Sequence, residues 1–301
     1  MVLRKAAGKR TLWALFGFAF FVCMGIAHAG DANANLGVSL RAKYVTLQSQ
    51  LSHNAFQRPL YLESSENSGG VTGDAFALLN YPFATVEVAL NKPGNWCDIL
   101  LLHLNTKYCH ASPDSLGAVL NVSLGKKIDQ PLDDAYRMDF SYRVAASTAD
   151  YLQLNLAADE GPFSTRNVRI MLEAVPVAGG QTFIHLSYSY AYGMVGRLAM
   201  QGYLATIGRG KVGFTVIENK SDAQPLYIGG MRGVVERNTM RYYLAVETFL
   251  GALSAPPQAR VEKRFRDWFD ATERYPRQLH ELTPDEYLAM KRKEYVRQQA
   301  N

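Results

Sequence analysis

"NVRIMLEAVPVAGGQTFIHLSYSY", Asn167 to Tyr190, decides the fold. Val168, Ile170 and Leu172 alternate with Arg169 and Glu173, and after a link at Val177–Gln181, Ile184, Leu186, Tyr188 and Tyr190 alternate with His185, Ser187 and Ser189. A period of two with one apolar and one polar face marks strands of an antiparallel sheet whose inner side meets a core. The link is too short for a crossover, so the two strands are hairpin neighbours.

The same period extends upstream. "DYLQLNLA" sets Leu152, Leu154 and Leu156 against Gln153 and Asn155. "AYRMDFSYRV" sets Tyr136, Met138, Phe140 and Tyr142 against Arg137, Asp139, Ser141 and Arg143. "LGAVLNVSLG" places Ala118, Leu120, Val122 and Leu124 on one face. Short links near Lys126–Leu132, Ala145–Ala149 and Ala158–Arg166 join these runs into a meander. Downstream, "KVGFTVIE" reads as a last strand. A glycine-rich lobe with a helical centre from Val195 to Ile207 precedes it, between the last two strands.

Helical signals flank the meander. "VSLRAKYVTLQSQL" carries Val38, Leu40, Tyr44, Leu47 and Leu51 near helical spacing. "RPLYLESSE" and "GDAFALLNY" surround "NSGGVT" as a hairpin, and "ATVEVALNKPGNW" is a short helix that Pro93-Gly94 closes. "VVERNTMRYYLAVETFLGAL" is the longest helix, with Val235, Tyr242, Val246 and Phe249 on one stripe. After the break "SAPP" come two polar helices, expected to pack on the outside, where the charged run "KRKEY" is solvated.

The first residues address the chain. Arg4, Lys5, Lys9 and Arg10 precede "TLWALFGFAFFVCMGIA", an apolar run of 17 residues, and "AHAG" offers small residues at Ala27 and Ala29. A basic start, an apolar middle and an A-x-A site describe a cleaved secretory signal peptide, against the alternative of a retained anchor. The run falls short of the ~20 residues a span needs. Val22 before Cys23 is too bulky for lipoprotein processing. Cleavage after Ala29 removes 29 of 301 residues, leaving 272, and takes four positive charges from +5, leaving +1. That balance gives no case for nucleic acid, which calls for a basic stripe. The expected location is the periplasm.

Cys97 and Cys109 are the cysteines that then remain. In an oxidising compartment a structural disulfide is the leading reading, with free buried thiols and a redox pair as alternatives. Twelve steps of helix would hold the Cα atoms about 18 Å apart, whereas a disulfide tolerates at most about 7 Å. A bridge therefore demands a chain reversal, most naturally at Asn105-Thr106. No C-x-x-C accompanies the pair, and no H-x-x-x-H, H-E-x-x-H or G-x-S-x-G occurs, so zinc, redox and hydrolase-elbow chemistry lack a motif. No cofactor is implied. His103, at the end of an apolar run, reads as a hydrogen-bonded core residue. "GGMRG" reads as a turn feeding a helix, and Glu236, Arg237 and Arg241 as surface residues, with Arg237 or Arg241 as the alternative partner of an anionic head group.

Taken in order (hairpin, short helix, meander, long helix), the chain resembles the helix-grip fold of the START-like superfamily, which includes polyketide cyclases and sterol and phospholipid carriers. "GDAFALLNYPFATVEVALNKPGNWCDIL", the Asn167–Tyr190 stretch and the long helix carry the resemblance. It covers roughly 57–253, after a signal peptide at 1–29 and an N-terminal helical segment at 30–56. A helical appendage follows at 254–301. The resemblance implies an α+β fold in which a curved antiparallel sheet wraps around the long C-terminal helix, with extra C-terminal helices beyond it. It also implies a mostly apolar cavity between sheet and helix. Its wall would be Tyr136, Met138, Phe140 and Tyr142, then Ile170 and Leu172, then Leu186, Tyr188 and Tyr190. The helix would add Val235, Arg241, Tyr242, Val246 and Phe249. A buried tyrosine hydroxyl needs a partner, which a ligand's head or the backbone could supply. The implied function is binding or transport of a lipid-like molecule, with transient contact to a membrane surface or envelope protein. The alternatives are an envelope interaction protein with a filled core, or a cyclase- or hydrolase-like enzyme of the same fold.

Overall fold

The computed structural model describes residues 29–206, 210–218 and 225–300. The signal-peptide reading lies outside these residues except at Ala29. In chain order the elements are α1 (Ala29–Ser52), β1 (Leu60–Glu66), β2 (Gly70–Leu79), α2 (Phe83–Leu90), α3 (Pro93–Leu102), β3 (Thr106–Asp114) and β4 (Gly117–Leu124). There follow β5 (Tyr136–Ser147), β6 (Leu152–Gly161), β7 (Thr165–Val177), β8 (Gln181–Tyr192), α4 (Met194–Ala205), β9 (Val216–Glu218) and β10 (Leu226–Tyr227). The chain ends with α5 (Gly230–Gly251), α6 (Arg260–Glu273), α7 (Pro276–Leu279) and α8 (Pro284–Gln299).

Strands β1 to β8 form one antiparallel sheet in the order β1-β2-β8-β7-β6-β5-β4-β3. β8 closes back onto β2, so the meander from β3 to β8 begins and ends around the α2–α3 insertion. Register sets like against like on the inner face: Leu156 opposes Ile170, Leu154 opposes Leu172, and Leu172 in turn opposes Leu186. Bulges between Val144 and Ala146 and between Arg166 and Arg169 bend the strands. Helix α5 lies across β1, β2 and β8 on this inner face. The fold is α+β, a sheet gripping a long helix.

Close approach of helix and sheet is set by one glycine. A Cβ at Gly73 would stand 2.4 Å from Thr239 Oγ1 and 3.3 Å from the Val235 carbonyl oxygen. Glycine at that register lets α5 lie on the β2 backbone.

The disulfide forms between Cys97 on α3 and Cys109 on β3, with a Cα–Cα distance of 5.1 Å. The reversal falls between Leu102 and Thr106.

Several readings of the sequence are corrected. Pro93 opens a second helix instead of closing the first, because a residue without an N–H fits the first helical turn. The stretch around Cys109 is itself a strand. "KVGFTVIE" supplies only Val216–Glu218 to a separate two-stranded ribbon with β10, so β8 is the last strand of the main sheet and the lobe follows it. The outer face of the sheet is partly covered. There Leu40, Leu47 and Leu51 of α1 join Phe76, Ala146, Tyr151, Val175 and Phe183 in a second apolar cluster.

The C-terminal helices share the main core: Phe265, Trp268, Tyr287 and Met290 belong to the same apolar cluster as the sheet. α8 also supplies the partners for the end of α3. The Tyr287 hydroxyl donates to Leu102 O at 3.0 Å, and Lys291 Nζ donates to His103 O at 2.8 Å. Lys291 and Glu294, expected to be solvated in "KRKEY", are buried with Lys107 in a trio joined at 2.7 and 2.9 Å. They can be buried because each charge finds an opposite charge and a carbonyl or a second lysine.

Candidate functional site

The register brings one set of chain ends together. The β1–β2 turn, the α3–β3 turn, the β4–β5 loop, the β6–β7 turn and the start of α4 all lie at the same end of the sheet, and the N-terminal half of α5 crosses there. This end is the mouth of the grip.

Most of the interior is closed, including part of α5 where it crosses the mouth. Met138, Phe140, Tyr142, Ile170, Leu172 and Leu186 are buried in the core, as are Val235, Val246 and Phe249 of α5. Tyr142 donates its hydroxyl to Leu90 O at 3.0 Å, beside Trp96 Nε1, which donates to the same carbonyl at 2.8 Å. That tyrosine fills space and caps the end of α2, with no hydroxyl left over.

Nearer the mouth the packing changes character. Tyr188 on β8 and Tyr242 on α5 occupy inward positions yet stay half-buried. Their rings meet edge to face with centroids 5.2 Å apart. Tyr190 lies 5.6 Å from Tyr188, and His103 lies 5.1 Å from Tyr242. Tyr136, also in the proposed wall, is 39% exposed and lines an open groove of about 560 Å³ at the strand ends, with Phe163, Arg166 and Met194. A second groove of about 610 Å³ lies elsewhere, along β1 and the 274–278 segment.

Three polar atoms among these residues are buried with no hydrogen-bond partner among the described residues: Tyr190 Oη, Thr239 Oγ1 and His103 Nε2. His103 accepts a bond from the Asn105 N–H on Nδ1 at 3.2 Å, which leaves the ring proton on Nε2. Burial, reinforced by the charges of Arg241, Lys291 and Lys127, holds its pKa well below the usual histidine value, so the ring is neutral. Burial likewise pushes the Tyr188 hydroxyl up to about 12 and those of Tyr190 and Tyr242 well above their ordinary value. At neutral pH each of these groups is a proton donor. An unmet buried donor costs about 1–3 kcal/mol, so the mouth stores unused hydrogen-bonding capacity.

Charge gathers at the rim. Glu236, Arg237 and Arg241, expected on the surface, are all buried. The reason is that α5 is covered on every side: the sheet below, α3 and α6 alongside, and the 210–215 and 279–281 segments above. Glu236 accepts from Ser64 Oγ at 2.6 Å, from the N–H groups of Phe214 and Thr215 at 2.5 and 2.9 Å, and from Thr215 Oγ1 at 2.6 Å. Arg237 donates to Val212 O at 3.1 Å. Arg241 meets Glu281 at 3.0 Å, and the same carboxylate takes Lys127 at 2.5 Å and Lys211 at 3.3 Å. Burial, followed by the charge of Arg241, lowers the Lys127 pKa to about 8.

Lys127, Lys211 and Glu281 had no signal in the sequence. Lys127 and Glu281 stand 154 residues apart, and neither belongs to a motif. Among the described residues no cluster of His, Cys, Asp and Glu is placed to hold a metal ion, and no helix is long and apolar enough to cross a membrane.

No protein-family model matches the chain, and no curated protein matches it. Solved structures match in part. A conserved protein from Geobacillus kaustophilus aligns at 10% identity over 60% of this chain and 95% of its own, with a TM-score of 0.34. Ara h 8.0201 aligns at 12% identity over 64% and 99%, with a TM-score of 0.33. Human StAR-related lipid transfer protein 5 aligns at 12% identity over 54% and 83%, with a TM-score of 0.28. At these scores the likeness adds nothing to what strand order and helix placement establish for the fold.

Proposed function

We propose that this chain is a START-like binding protein that takes a hydrophobic molecule with a polar head into the mouth of the grip, and that it works in the periplasm after loss of residues 1–29. The observation that carries the reading is the pair of half-buried tyrosines, Tyr188 and Tyr242, set among the unpartnered donors of Tyr190 and His103. An apolar wall with a few convergent polar groups is what such ligands require.

The ligand sits at the mouth, because the deep core is filled, with Tyr142, Leu172, Leu186 and Phe249 acting as its floor. Tyr136 and the groove of about 560 Å³ form the entrance. Beside the entrance Phe163, Met194 and Leu198 are 60, 79 and 62% exposed, an apolar rim suited to transient contact with a membrane surface from which the ligand is drawn. The tyrosines, His103 and Arg241 act by binding, and no nucleophile–base pair stands among them.

The test is native mass spectrometry and solvent extraction of the chain purified from the periplasm, followed by titration of the stripped protein with the fluorescent amphiphile 1-anilinonaphthalene-8-sulfonate. A co-purifying small molecule and saturable one-to-one binding are expected. Empty protein that shows only non-saturable fluorescence would refute the proposal.

A further inference from the structure

We infer that the outer edge of β1 and the groove beside it bind an extended acidic peptide. The peptide is a segment of a partner protein that joins the sheet as a further strand and sets its carboxylates on Arg232 and Arg274. The site is separate from the mouth, since neither Tyr188 nor Tyr242 lines the groove.

The backbone supplies the first observation. β1 ends the main sheet, with β2 on one side and no strand on the other. From Tyr61 to Ser65 its backbone makes no hydrogen bond outside the β1–β2 ladder among the described residues. Such an edge is a template for another strand. The groove of about 610 Å³ runs along it. Tyr61, Leu62, Glu63 and Ser64 all line that groove, although successive side chains of a strand point to opposite faces. What the four share is the edge, so the groove follows the edge and not one face of the sheet. Phe56, Phe214 and Tyr275 line it as well, and their ring centroids lie 5.5, 5.7 and 6.2 Å apart.

Charge names the partner. Arg232 of α5 donates through Nε to Ser64 Oγ at 3.0 Å, and Ser64 donates in turn to Glu236 at 2.6 Å. This chain holds the guanidinium beside the edge. Its two terminal nitrogens, a fork shaped for a carboxylate, have no protein acceptor among the described residues. Arg274 is exposed on the same groove and makes no hydrogen bond or ion pair among the described residues. Arg277, laid over the Tyr227 ring at 5.6 Å, adds a third guanidinium to the lining. Glu63 is the one carboxylate in that lining, and Lys43 at 3.3 Å and the Tyr61 hydroxyl at 3.1 Å already engage it.

The register gives the peptide its pattern. Ser64 opposes Gly73, on which α5 rests, so Ser64 and Arg232 belong to the inner side. Tyr61 opposes Phe76 and packs with the outer cluster. A strand added to β1 therefore turns one row of side chains toward the arginines and the alternate row toward Tyr61. The sequence that fits alternates acidic and apolar residues. A second copy pairing through the same edge would bring its own arginines to the groove, so charge favours a different, acidic chain.

The experiment is fluorescence anisotropy on the full mature chain with a labelled peptide as long as β1 that alternates glutamate and valine. Saturable one-to-one binding is expected. Replacing the glutamates by glutamine should weaken it about tenfold or more, since each hydrogen bond to a charged group contributes on that scale. Arg232→Gln and Arg274→Gln should each weaken it about tenfold on the same grounds. Should Arg232→Gln fail to fold, the exposed Arg274 still decides. Methylating one alternate row of peptide nitrogens should abolish binding and methylating the other should spare it, because an added strand turns every second N–H to the edge. Absence of saturable binding, equal affinity for the glutamate and glutamine peptides, or equal binding by the two methylated peptides would each overturn the inference. A dimer before peptide is added, dissociated by Arg274→Glu in sedimentation, would put a second copy in the groove and overturn it too. None of these failures touches the binding function proposed for the mouth.

Discussion

Two tyrosines give a test in which one chemical change has opposite signs. Tyr142 and Tyr190 both face the inner side of the sheet and are 2 and 5% exposed. The Tyr142 hydroxyl donates to Leu90 O, whereas that of Tyr190 has no partner among the described residues. Tyr142→Phe deletes a made bond. The carbonyl it leaves still accepts from Trp96 Nε1, so the loss stays near the usual net value of about 1 kcal/mol. Tyr190→Phe deletes an unmade bond and with it the cost of burying an unmet hydroxyl, a gain of about 1–2 kcal/mol. For a chain of this size each kcal/mol moves Tm by ~2–4 °C. Calorimetry on stripped protein should therefore show Tyr142→Phe melting a few degrees below wild type and Tyr190→Phe melting a few degrees above it. Tyr190→Phe should at the same time bind the fluorescent amphiphile more weakly, because the hydroxyl is held for the ligand. If Tyr190→Phe lowers Tm as much as Tyr142→Phe does, the hydroxyl already has its partner in the protein, and the functional reading loses its main support.

Three further outcomes follow from the geometry. Replacing Cys97 and Cys109 together by alanine should cost about 3 kcal/mol, because the bridge closes a loop of 12 residues in the unfolded chain; equal melting with and without the pair would contradict this. Gly73→Ala should destabilise by about 1–3 kcal/mol through overlap with Thr239, and adding Thr239→Ala should recover much of the loss; an additive double variant would show that the contact is not the cause. On the outer face burial opposes a charge on His185. Bonds to Asp74 at 2.8 Å and Glu173 at 3.0 Å outweigh burial and raise its pKa above the ordinary value. The imidazolium thus contributes stability that is full below the unfolded pKa of about 6.5 and is lost as pH rises through the higher folded value. His185→Gln should flatten the decline of Tm above about pH 6.5, and an unchanged profile would mean that His185 is not its source.

The sheet was legible because its signal is local. Each strand from β4 to β8 alternates within a few residues, and most of the apolar set named from the alternation is buried, from Leu120 through Leu186, but Leu124 is only partly buried and Tyr136 is 39% exposed. The stripe Val235, Val246 and Phe249 was legible for the same reason. What could not be read is where charged residues go. Glu236, Arg237 and Arg241 look like a solvated helix face, since helical periodicity records one buried side and α5 is enclosed on all of them, and Lys291 and Glu294 of α8 sit in a run of charge. Their partners come from distant segments: Ser64 is 172 residues from Glu236, and Lys107 is 187 residues from Glu294. No window along the chain contains both members of such a pair.

The placement of the C-terminal helices bears directly on the site. α8 meets the buried carbonyls at the end of α3 and in the turn after it with Tyr287 and Lys291, so it fixes the turn that carries His103. α6 donates Trp268 Nε1 to Arg241 O at 3.2 Å, and the turn between α7 and α8 places Glu281 on Arg241 and Lys127. Three polar groups at the mouth are thus set by a segment beyond the sheet and its gripped helix. Cutting the chain after Gly251 would strip Phe265, Trp268, Tyr287 and Met290 from the core that α5 shares with the sheet. It would also leave Arg241 and Lys127 without their carboxylate, and the α3 turn without its lysine. The mouth is therefore a joint product of the sheet, α5 and the last helices.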